Sequence, residues 1–397
     1  MKTFIAFIVV FTFSANVFIA AQQAETENYV RNEFVMRNGL PNFFLKALRG
    51  DSVKVAYLGG SITAQEGWRV FSFNWFKEQF PNAAFKQINA AIGGTGSDFG
   101  VFRLQENVLQ YKPDLVFVEF AVNDGNTPSS KIIRSMEGIV RQINEANPYT
   151  DICFVYTIKA AYLETEEQGM LPNSAINMEK VADHYGIPSI NFGFEVADQV
   201  STMQLIMAAD AKEIDGAKVF SRDGVHPYPK TGHVIYHQVW KRSFESMIAA
   251  NPIAQQKQKL SKPLAADYFA NTKMVDAKDV QLSEHWTLMN LKEKSVFSPF
   301  SNYLQFIGKA AQSGETLIVH FKGRAIGAYD AMGPDAGRVV VEIDGMVKDT
   351  IYRFDAYCTY RRMNYFVIDG LENKKHKVAF RTLSEPFDKA AILSKRK

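Results

Sequence analysis

The sequence contains little cysteine: two of its 397 residues, Cys153 and Cys358, which lie far apart in the chain. A small secreted scaffold held together by disulfides needs more cysteines, so that class of protein is excluded. A bridge between the two is possible but not favoured, because Cys153 belongs to an apolar, strand-like run that is typical of a buried strand. A chain of this length can instead bury a large apolar core, and it is long enough for two domains.

An excess of one charge is also lacking. The chain has 45 Lys and Arg residues against 42 Asp and Glu residues, a formal net charge of +3, and the two signs are interleaved. No basic stripe suits a nucleic acid, and no polybasic helix suits a membrane surface. We therefore expect no nucleic-acid partner.

Long apolar runs are absent after residue 21. Residues 1–21 begin with Met1 and Lys2, continue as an apolar run and end in small residues, which is typical of a secretory signal peptide. We predict cleavage after Ala21 and a secreted or periplasmic protein with no stable membrane insertion. The alternative is an uncleaved membrane anchor, since the run is near the lower length limit for spanning a bilayer.

Strand-like and helix-like stretches alternate through residues 52–250. Continuous apolar runs, typical of strands buried on both faces, occur at 53–58, 115–120, 152–157 and 187–191. Helical periodicity occurs between and after them, at 68–80, 130–147, 174–185 and 233–250. This alternation predicts a parallel sheet with helices on both faces, in which functional groups lie at the carboxyl ends of the strands.

The pattern changes after residue 250. We predict that residues 22–51 lead into the α/β domain, that 251–264 form a polar linker, and that 265–397 form an accessory domain. Within this last part, apolar and polar residues alternate in short segments at 315–322, 338–344, 365–368 and 377–381. Such segments, separated by turns such as Asp344-Gly345, predict a smaller all-β sandwich of the jelly-roll type.

Four short segments of the predicted α/β domain carry the residue types of an esterase active site. They are 59–63 (Gly-Gly-Ser-Ile-Thr), 89–94 (Asn-Ala-Ala-Ile-Gly-Gly), 121–124 (Ala-Val-Asn-Asp) and 223–226 (Asp-Gly-Val-His). The first three each follow a strand-like run, and the fourth precedes the last helix of the domain. Acyl transfer needs an activated hydroxyl together with donors aimed at a developing oxyanion, and the four segments offer both.

The first and fourth segments offer a nucleophile and a base. Ser61 lies at a strand-to-helix turn, where a hydroxyl is exposed at the sheet edge; alternatively it is a helix cap. Asp223 and His226 are three residues apart, so that one turn can bring the carboxylate beside the imidazole. The alternative is a surface Asp and a His whose position is set by Pro227.

The second and third segments offer hydrogen-bond donors. The Asn123 side-chain amide can donate to an oxyanion, although Asn-Asp-Gly is also a common turn. The glycine run at 93–96 lacks the Lys of a P-loop and the spacing of a dinucleotide fold, so a backbone N–H close to substrate is its better use. His233 and His237 have metal-ligand spacing but no acidic or Cys partner motif, and we expect no metal site there.

Together the four segments resemble the SGNH/GDSL-type hydrolases, in the branch whose first segment reads Gly-Gly-Ser-Ile-Thr. The resemblance covers about half of the chain, residues 52–246. It implies a flavodoxin-like three-layer α/β/α domain, with Ser61 as nucleophile, His226 as general base and Asp223 as its orienting acid. No metal and no organic cofactor is implied.

The resemblance also implies an oxyanion hole. Its donors would be the Ser61 N–H, the Gly94 N–H and the Asn123 side-chain amide, with Gly93 as an alternative to Gly94. Two positions depart from the family pattern: Gly60 stands where the named first segment has Asp, and Ala121 stands where the third often has Gly. Neither removes a catalytic group.

A serine esterase acting on an O-acetylated polysaccharide or oligosaccharide is the function that these features predict. The alternatives are a lipase or lysophospholipase for longer acyl chains, a non-catalytic glycan-binding protein, and a transferase that passes the acetyl group to a sugar. No apolar lid helix adjoins the segments, which counts against the lipase. A weaker resemblance links 321–329 to β-sandwich modules of bacterial carbohydrate esterases, where Tyr329, Tyr357 and Tyr360 are candidates for sugar stacking.

Overall fold

A computed structural model describes residues 31–250, 254–310, 312–383 and 386–396. The predicted signal peptide lies outside the described residues. Contacts divide the chain into two units, of which the first ends at Asn271 and the second begins at Thr272. Within the described residues, no helix combines the length and the apolar character that a membrane crossing requires.

A six-stranded sheet forms the centre of the first unit. Strands β2 to β6 are parallel, and the short β1 pairs antiparallel with β6 at one edge. The strands are β1 (Phe34–Val35), β2 (Ser52–Gly59), β3 (Ala84–Ala91), β4 (Leu115–Glu119), β5 (Asp151–Tyr156) and β6 (Ser189–Asn191). The predicted parallel sheet is therefore confirmed.

The strand order places the site segments together. The order is β1-β6-β5-β4-β2-β3, so the chain first adds β3 on one side of β2 and then β4, β5 and β6 on the other. This is the flavodoxin-like order, and its ligand crevice lies outside the carboxyl ends of the strands where the direction reverses. Segments 59–63 and 121–124 follow the two strands at that point, β2 and β4.

Helices cover both faces of the sheet. The helices of the described residues are α1 (Pro41–Arg49), α2 (Ser61–Ala64), α3 (Trp68–Gln79), α4 (Ser97–Gly100), α5 (Leu104–Asn107), α6 (Ser129–Ala146), α7 (Leu163–Glu167), α8 (Asn173–Tyr185), α9 (Gly193–Ser201), α10 (Gly232–Ala250) and α11 (Lys389–Leu393). The longer helices α3, α6, α8 and α10 begin and end within one residue of the predicted stretches.

An aromatic core holds one helical layer to the sheet. Phe43 of α1, Phe76 of α3 and Phe244 of α10 are fully buried and pack against the same face as Phe117 of β4. On the opposite face, the hydroxyl of Tyr156 in β5 donates to Glu179 of α8 at 2.5 Å. Helices therefore pack on both faces of the sheet, as the predicted three-layer arrangement requires. Helix α1 lies in the stretch predicted as a lead-in, and it belongs to the core of the unit.

A small second sheet, which the sequence did not predict, precedes the fourth segment. Strand β9 (Ala217–Ser221) pairs in parallel with β7 (Leu205–Ala208) and antiparallel with β8 (Glu213–Ile214). Strands β7, β8 and β9 have four, two and five residues, which is too few for a periodic pattern to be recognised. The loop that contains Asp223 and His226 follows β9 directly.

The segment predicted as a linker packs along the first unit. Asn42 donates to the Gln256 carbonyl at 2.8 Å, and Glu137 accepts from the backbone N–H groups of Leu264 and Ala265 at 2.7 and 2.8 Å. The boundary at Asn271 therefore lies later in the chain than the predicted 251–264 linker. The polar composition of this segment predicts a linker. The side-chain bonds that hold it are long-range and leave no local pattern in the sequence.

The second unit is built from antiparallel strands. Its strands are β10 (Gln281–Leu282), β11 (Trp286–Asn290), β12 (Phe306–Ala310), β13 (Thr316–Gly323), β14 (Ile326–Met332), β15 (Arg338–Ile343), β16 (Met346–Tyr352), β17 (Arg362–Ile368) and β18 (Lys374–Leu383). Five form a sheet in the order β10-β13-β18-β15-β16, while β11 pairs with β12 and β14 with β17. The predicted antiparallel β region is confirmed.

An apolar core lies between the five-stranded sheet and the β14–β17 pair. Ile326 of β14 is buried with Val341 of β15 and Val378 of β18. The predicted Asp344-Gly345 turn joins β15 to β16, and both residues have positive φ, 55° and 84°, as a type I′ hairpin turn requires. Cys358 of this unit and Cys153 of the first are both buried free thiols.

Candidate active site

Ser61 lies where β2 passes into α2. Gly60 is extended, and Ser61 is the first residue of the short helix that follows. This turn points the serine side chain out of the carboxyl edge of the sheet, where its Oγ is 2.8 Å from Nε2 of His226. The alternative of a Ser61 helix cap is wrong, because Gly60 is the N-cap. The Ser61 side chain bonds instead to a group 165 positions away.

Asp223 orients the His226 ring. One carboxylate oxygen of Asp223 is 2.7 Å from Nδ1 of His226, and the other accepts the backbone N–H groups of Val225 and His226 at 3.0 and 2.8 Å. An ionised carboxylate only accepts, so Nδ1 carries the ring proton and Nε2 is free to accept from Ser61. Burial opposes ionisation of Asp223, but the hydrogen bonds from His226 and Val225 outweigh it and lower the pKa of Asp223.

The small second sheet holds this loop in place. Ser221, at the end of β9, donates to the Met207 carbonyl of β7 at 2.9 Å and accepts the Gly224 N–H at 2.8 Å. The Gly224 carbonyl in turn accepts the Ala160 N–H at 2.7 Å. Gly224 has a φ of 75°, a backbone conformation that residues other than glycine rarely adopt. The loop is thus bonded just before Asp223 and again between Asp223 and His226.

Asn123 lies beside the turn that contains Ser61. It begins a 3-10 turn, Asn123–Asn126, directly after β4. A Cβ atom added to Gly60 would lie 2.1 Å from Oδ1 of Asn123, so the Asn123 amide occupies the space that a side chain at position 60 would need. A side chain at position 60 of this chain would therefore have to displace the Asn123 amide.

The glycine loop after β3 lies on the other side of Ser61. A Cβ on Gly93 would be 3.5 Å from Cβ of Ser61. Gly94 has φ of 72°, is exposed, and has no heavy atom within 4 Å of the place where a Cβ would be. All four segments therefore meet at one edge of the sheet, with open space next to Gly94.

Two buried acids connect these segments, and the sequence did not single them out. The carboxylate of Asp124, which is 1 % exposed, accepts the Ser97 N–H at 3.0 Å and so ties the Asn123 turn to the loop after Gly94. Glu119, at the end of β4, accepts from the hydroxyls of Thr63 and Thr157, both at 2.8 Å. For Glu119 the available signal was an acid at the end of an apolar strand, whereas Asp124 lies in the turn that follows.

Asp124 is expected to make stability depend on pH. Burial raises its pKa from 3.8 to about 7, against the hydrogen bonds from Ser97. The folded chain therefore keeps a proton that the unfolded chain loses, so the free energy of unfolding falls as pH rises through this window, by at most about 1.4 kcal/mol per unit. The free energy of unfolding measured with urea should decline less between pH 5 and pH 7 in Asp124→Asn than in wild type. Equal slopes in both proteins would contradict this assignment.

His233 has a structural role. Its Nδ1 accepts the Trp68 N–H at 3.2 Å, and its Nε2 donates to Gln65 Oε1 at 3.0 Å. Burial lowers the pKa of His233 to about 4, which keeps the ring neutral. His237 stacks on Trp240. No cluster of three or more His, Cys, Asp or Glu side chains suited to a metal ion occurs within the described residues.

Comparison with known families agrees with this geometry. Residues 57–231, which contain all four segments whole, match the GDSL-like lipase/acylhydrolase family. They form a GDSL-like domain. The protein is thus a carboxylic ester hydrolase whose GDSL-like domain is followed by an antiparallel β unit. No curated protein sequence matches the chain.

Solved structures share the two-domain fold. A two-domain esterase (CEX) active on acetylated mannans superposes with a TM-score of 0.73 at 21% identity, over 91% of this chain and 94% of that one. The same esterase co-crystallised with mannopentaose has a TM-score of 0.73 and 21% identity, over 92% of this chain and 95% of that one. At this identity the likeness extends to the fold alone. The acetylxylan esterase Axe2 from Geobacillus stearothermophilus is also similar, with a TM-score of 0.39 and 16% identity over 48% and 93%.

Proposed function

We propose that the protein is an exported serine esterase with Ser61, His226 and Asp223 as its catalytic triad. The observation that carries the proposal is the continuous line of hydrogen bonds from Ser61 through His226 to Asp223, at 2.8 and 2.7 Å. This is the arrangement in which a serine hydroxyl is activated by an oriented imidazole.

In the proposed reaction, Ser61 Oγ attacks the ester carbonyl carbon while its proton passes to Nε2 of His226. The carbonyl oxygen becomes an oxyanion, which the backbone N–H groups of Ser61 and Gly94 and the Asn123 amide stabilise. The bond to the alcohol oxygen then breaks as His226 returns the proton to it, leaving acyl-Ser61. Water next gives a proton to Nε2 and attacks the acyl carbon, and the acid leaves as Ser61 regains its proton.

The proposed substrate is an O-acetylated polysaccharide or oligosaccharide. The support is the shared two-domain fold with an esterase active on acetylated mannans, together with the predicted signal peptide and the accessory β unit. In that unit, Tyr357 and Tyr360 are about half exposed, at 47% and 52%, whereas Tyr329 lies half-buried in β14. We propose no metal or organic cofactor, because the residues of the site supply nucleophile, base and oxyanion donors themselves.

The acyl preference is tested with a series of nitrophenyl esters from acetyl to long acyl. We expect fast acetyl cleavage that falls steeply with chain length in the protein without residues 1–21. A preference for long chains would replace the glycan proposal with a lipase or lysophospholipase. Sequencing the N-terminus of protein recovered from outside the cytoplasm checks the predicted cleavage after Ala21.

Replacing Asn123 with alanine is expected to lower kcat by about 10²- to 10³-fold with little change in KM, because one oxyanion donor is lost. Asn126→Ala is the matched control, since Asn126 is exposed at the other end of the same turn. Steady-state kinetics on nitrophenyl acetate compare the two variants. Similar losses in both would mean that the turn, and not the Asn123 amide, is what matters.

A further inference from the structure

Lys159 lies between two parts of the proposed site and has no role in the reaction described above. It follows β5 at the carboxyl edge of the sheet. Its Nζ is 2.7 Å from the position that a Cβ on Gly125 would occupy, and Gly125 belongs to the Asn123–Asn126 turn. The next residue, Ala160, donates its N–H to the Gly224 carbonyl in the loop of Asp223 and His226.

The ammonium group of Lys159 is half-buried without a counter-charge. Among the residues that the structure describes, no carboxylate forms an ion pair with it. Burial lowers the pKa of Lys159, and no neighbouring acid offsets this. Its favourable electrostatic contact is instead with the face of the Tyr162 ring, whose centroid is 4.6 Å from Nζ. A partly desolvated cation with an aromatic face on one side retains N–H donors for a ligand.

Tyr162 makes this position rigid. Its ring is buried, and its hydroxyl donates to the Ala121 carbonyl at 3.2 Å, at the start of the segment that contains Asn123. The ammonium group of Lys159 therefore lies over a ring whose hydroxyl is bonded to the segment of Asn123. A donor held in this way lies next to the turn that carries Asn123.

We propose that Lys159 is a specificity-determining residue that donates a hydrogen bond to an oxygen atom of the sugar carrying the acetyl ester. This inference rests on the proposed function, since it names a contact to the alcohol part of the same substrate. The oxygen is either a hydroxyl of a neutral sugar or a carboxylate of an acidic one. An acetyl ester of a flat phenol offers no such oxygen at that position.

The test compares Lys159→Met with wild type on three probes: nitrophenyl acetate, chemically acetylated mannopentaose and a chemically acetylated oligogalacturonide. Methionine keeps an unbranched side chain of similar length and removes the donor. We expect kcat/KM on an acetylated sugar to fall by about 10- to 100-fold, mostly through KM, with nitrophenyl acetate changed less than about threefold. The sugar with the larger loss identifies the oxygen as hydroxyl or carboxylate.

Lys77→Met is the matched control, because Lys77 is an exposed lysine over the Phe73 ring, at 4.9 Å, near the end of α3. It is expected to match wild type on all probes. Equal losses for Lys159→Met on the sugars and on nitrophenyl acetate, or no loss on either sugar, would overturn the inference while leaving the esterase intact. Wild-type protein that cleaves nitrophenyl acetate but releases no acetate from either sugar would overturn the glycan proposal together with it.

Discussion

Replacing Ser61 with alanine is expected to reduce kcat on nitrophenyl acetate by roughly 10⁶-fold, to the residual level that oxyanion donors alone provide. In the proposed mechanism the Ser61 hydroxyl oxygen forms the acyl intermediate, and no other hydroxyl in the described residues bonds to His226. The hydrogen bond of Ser61 is to the half-exposed His226 ring, so removing the hydroxyl should lower the stability of the fold only slightly. The measurement is steady-state hydrolysis, with acetate release followed in parallel.

The control for this variant is Ser201→Ala, at the exposed end of α9, which is expected to keep full activity. Thermal unfolding of both variants should coincide with wild type within a few degrees. Substantial turnover by folded Ser61→Ala would refute the proposed mechanism and would require a different nucleophile.

Asp223→Asn is expected to lower kcat by about 10⁴-fold while leaving the loop folded. The asparagine oxygen can still accept the N–H groups of Val225 and His226, as Asp223 does now. Its amide N–H₂, however, would face Nδ1 of His226, so the ring proton would move to Nε2. His226 could then no longer accept the proton of Ser61, and the nucleophile would lose its base.

Asp210→Asn is the matched control, since Asp210 pairs on the surface with Arg222, the residue before Asp223. This variant removes a carboxylate from the neighbourhood and leaves the His226 ring as it is. Ring nitrogen chemical shifts measured by NMR would show directly which nitrogen carries the proton. A wild-type ring tautomer in Asp223→Asn, or a loss of activity equal to that of Asp210→Asn, would argue against the orienting role.

The sequence predicted the central sheet well because its strands are buried on both faces. Such strands are continuous apolar runs, and the helices between them are bounded by recognisable signals, such as Pro81 after α3 and Pro148 after α6. The order of the strands did not come from these patterns. It came from the resemblance, and the observed order of β2 to β6 confirms it.

The contacts between the site segments were beyond sequence patterns. Asn-Asp-Gly is a common turn, and nothing in the pattern indicates that the Asp124 carboxylate bonds to Ser97, 27 residues earlier. The small sheet that holds the Asp223 loop consists of strands too short to have a period. The packing of residues 254–271 likewise depends on side chains such as Glu137, over a hundred positions away in sequence. In each case the partner is distant in sequence, and only the folded chain brings it close.

The contact between Gly60 and Asn123 makes these two positions epistatic. With Asn123 in place, any residue larger than glycine at position 60 would put its Cβ 2.1 Å from the amide oxygen. A mutational library that varies position 60 alone is expected to yield mainly variants with a displaced amide and impaired turnover. Larger residues at position 60 would be recovered only where the Asn123 amide or the turn that follows it can shift, so the effects of substitutions at the two positions are not expected to add.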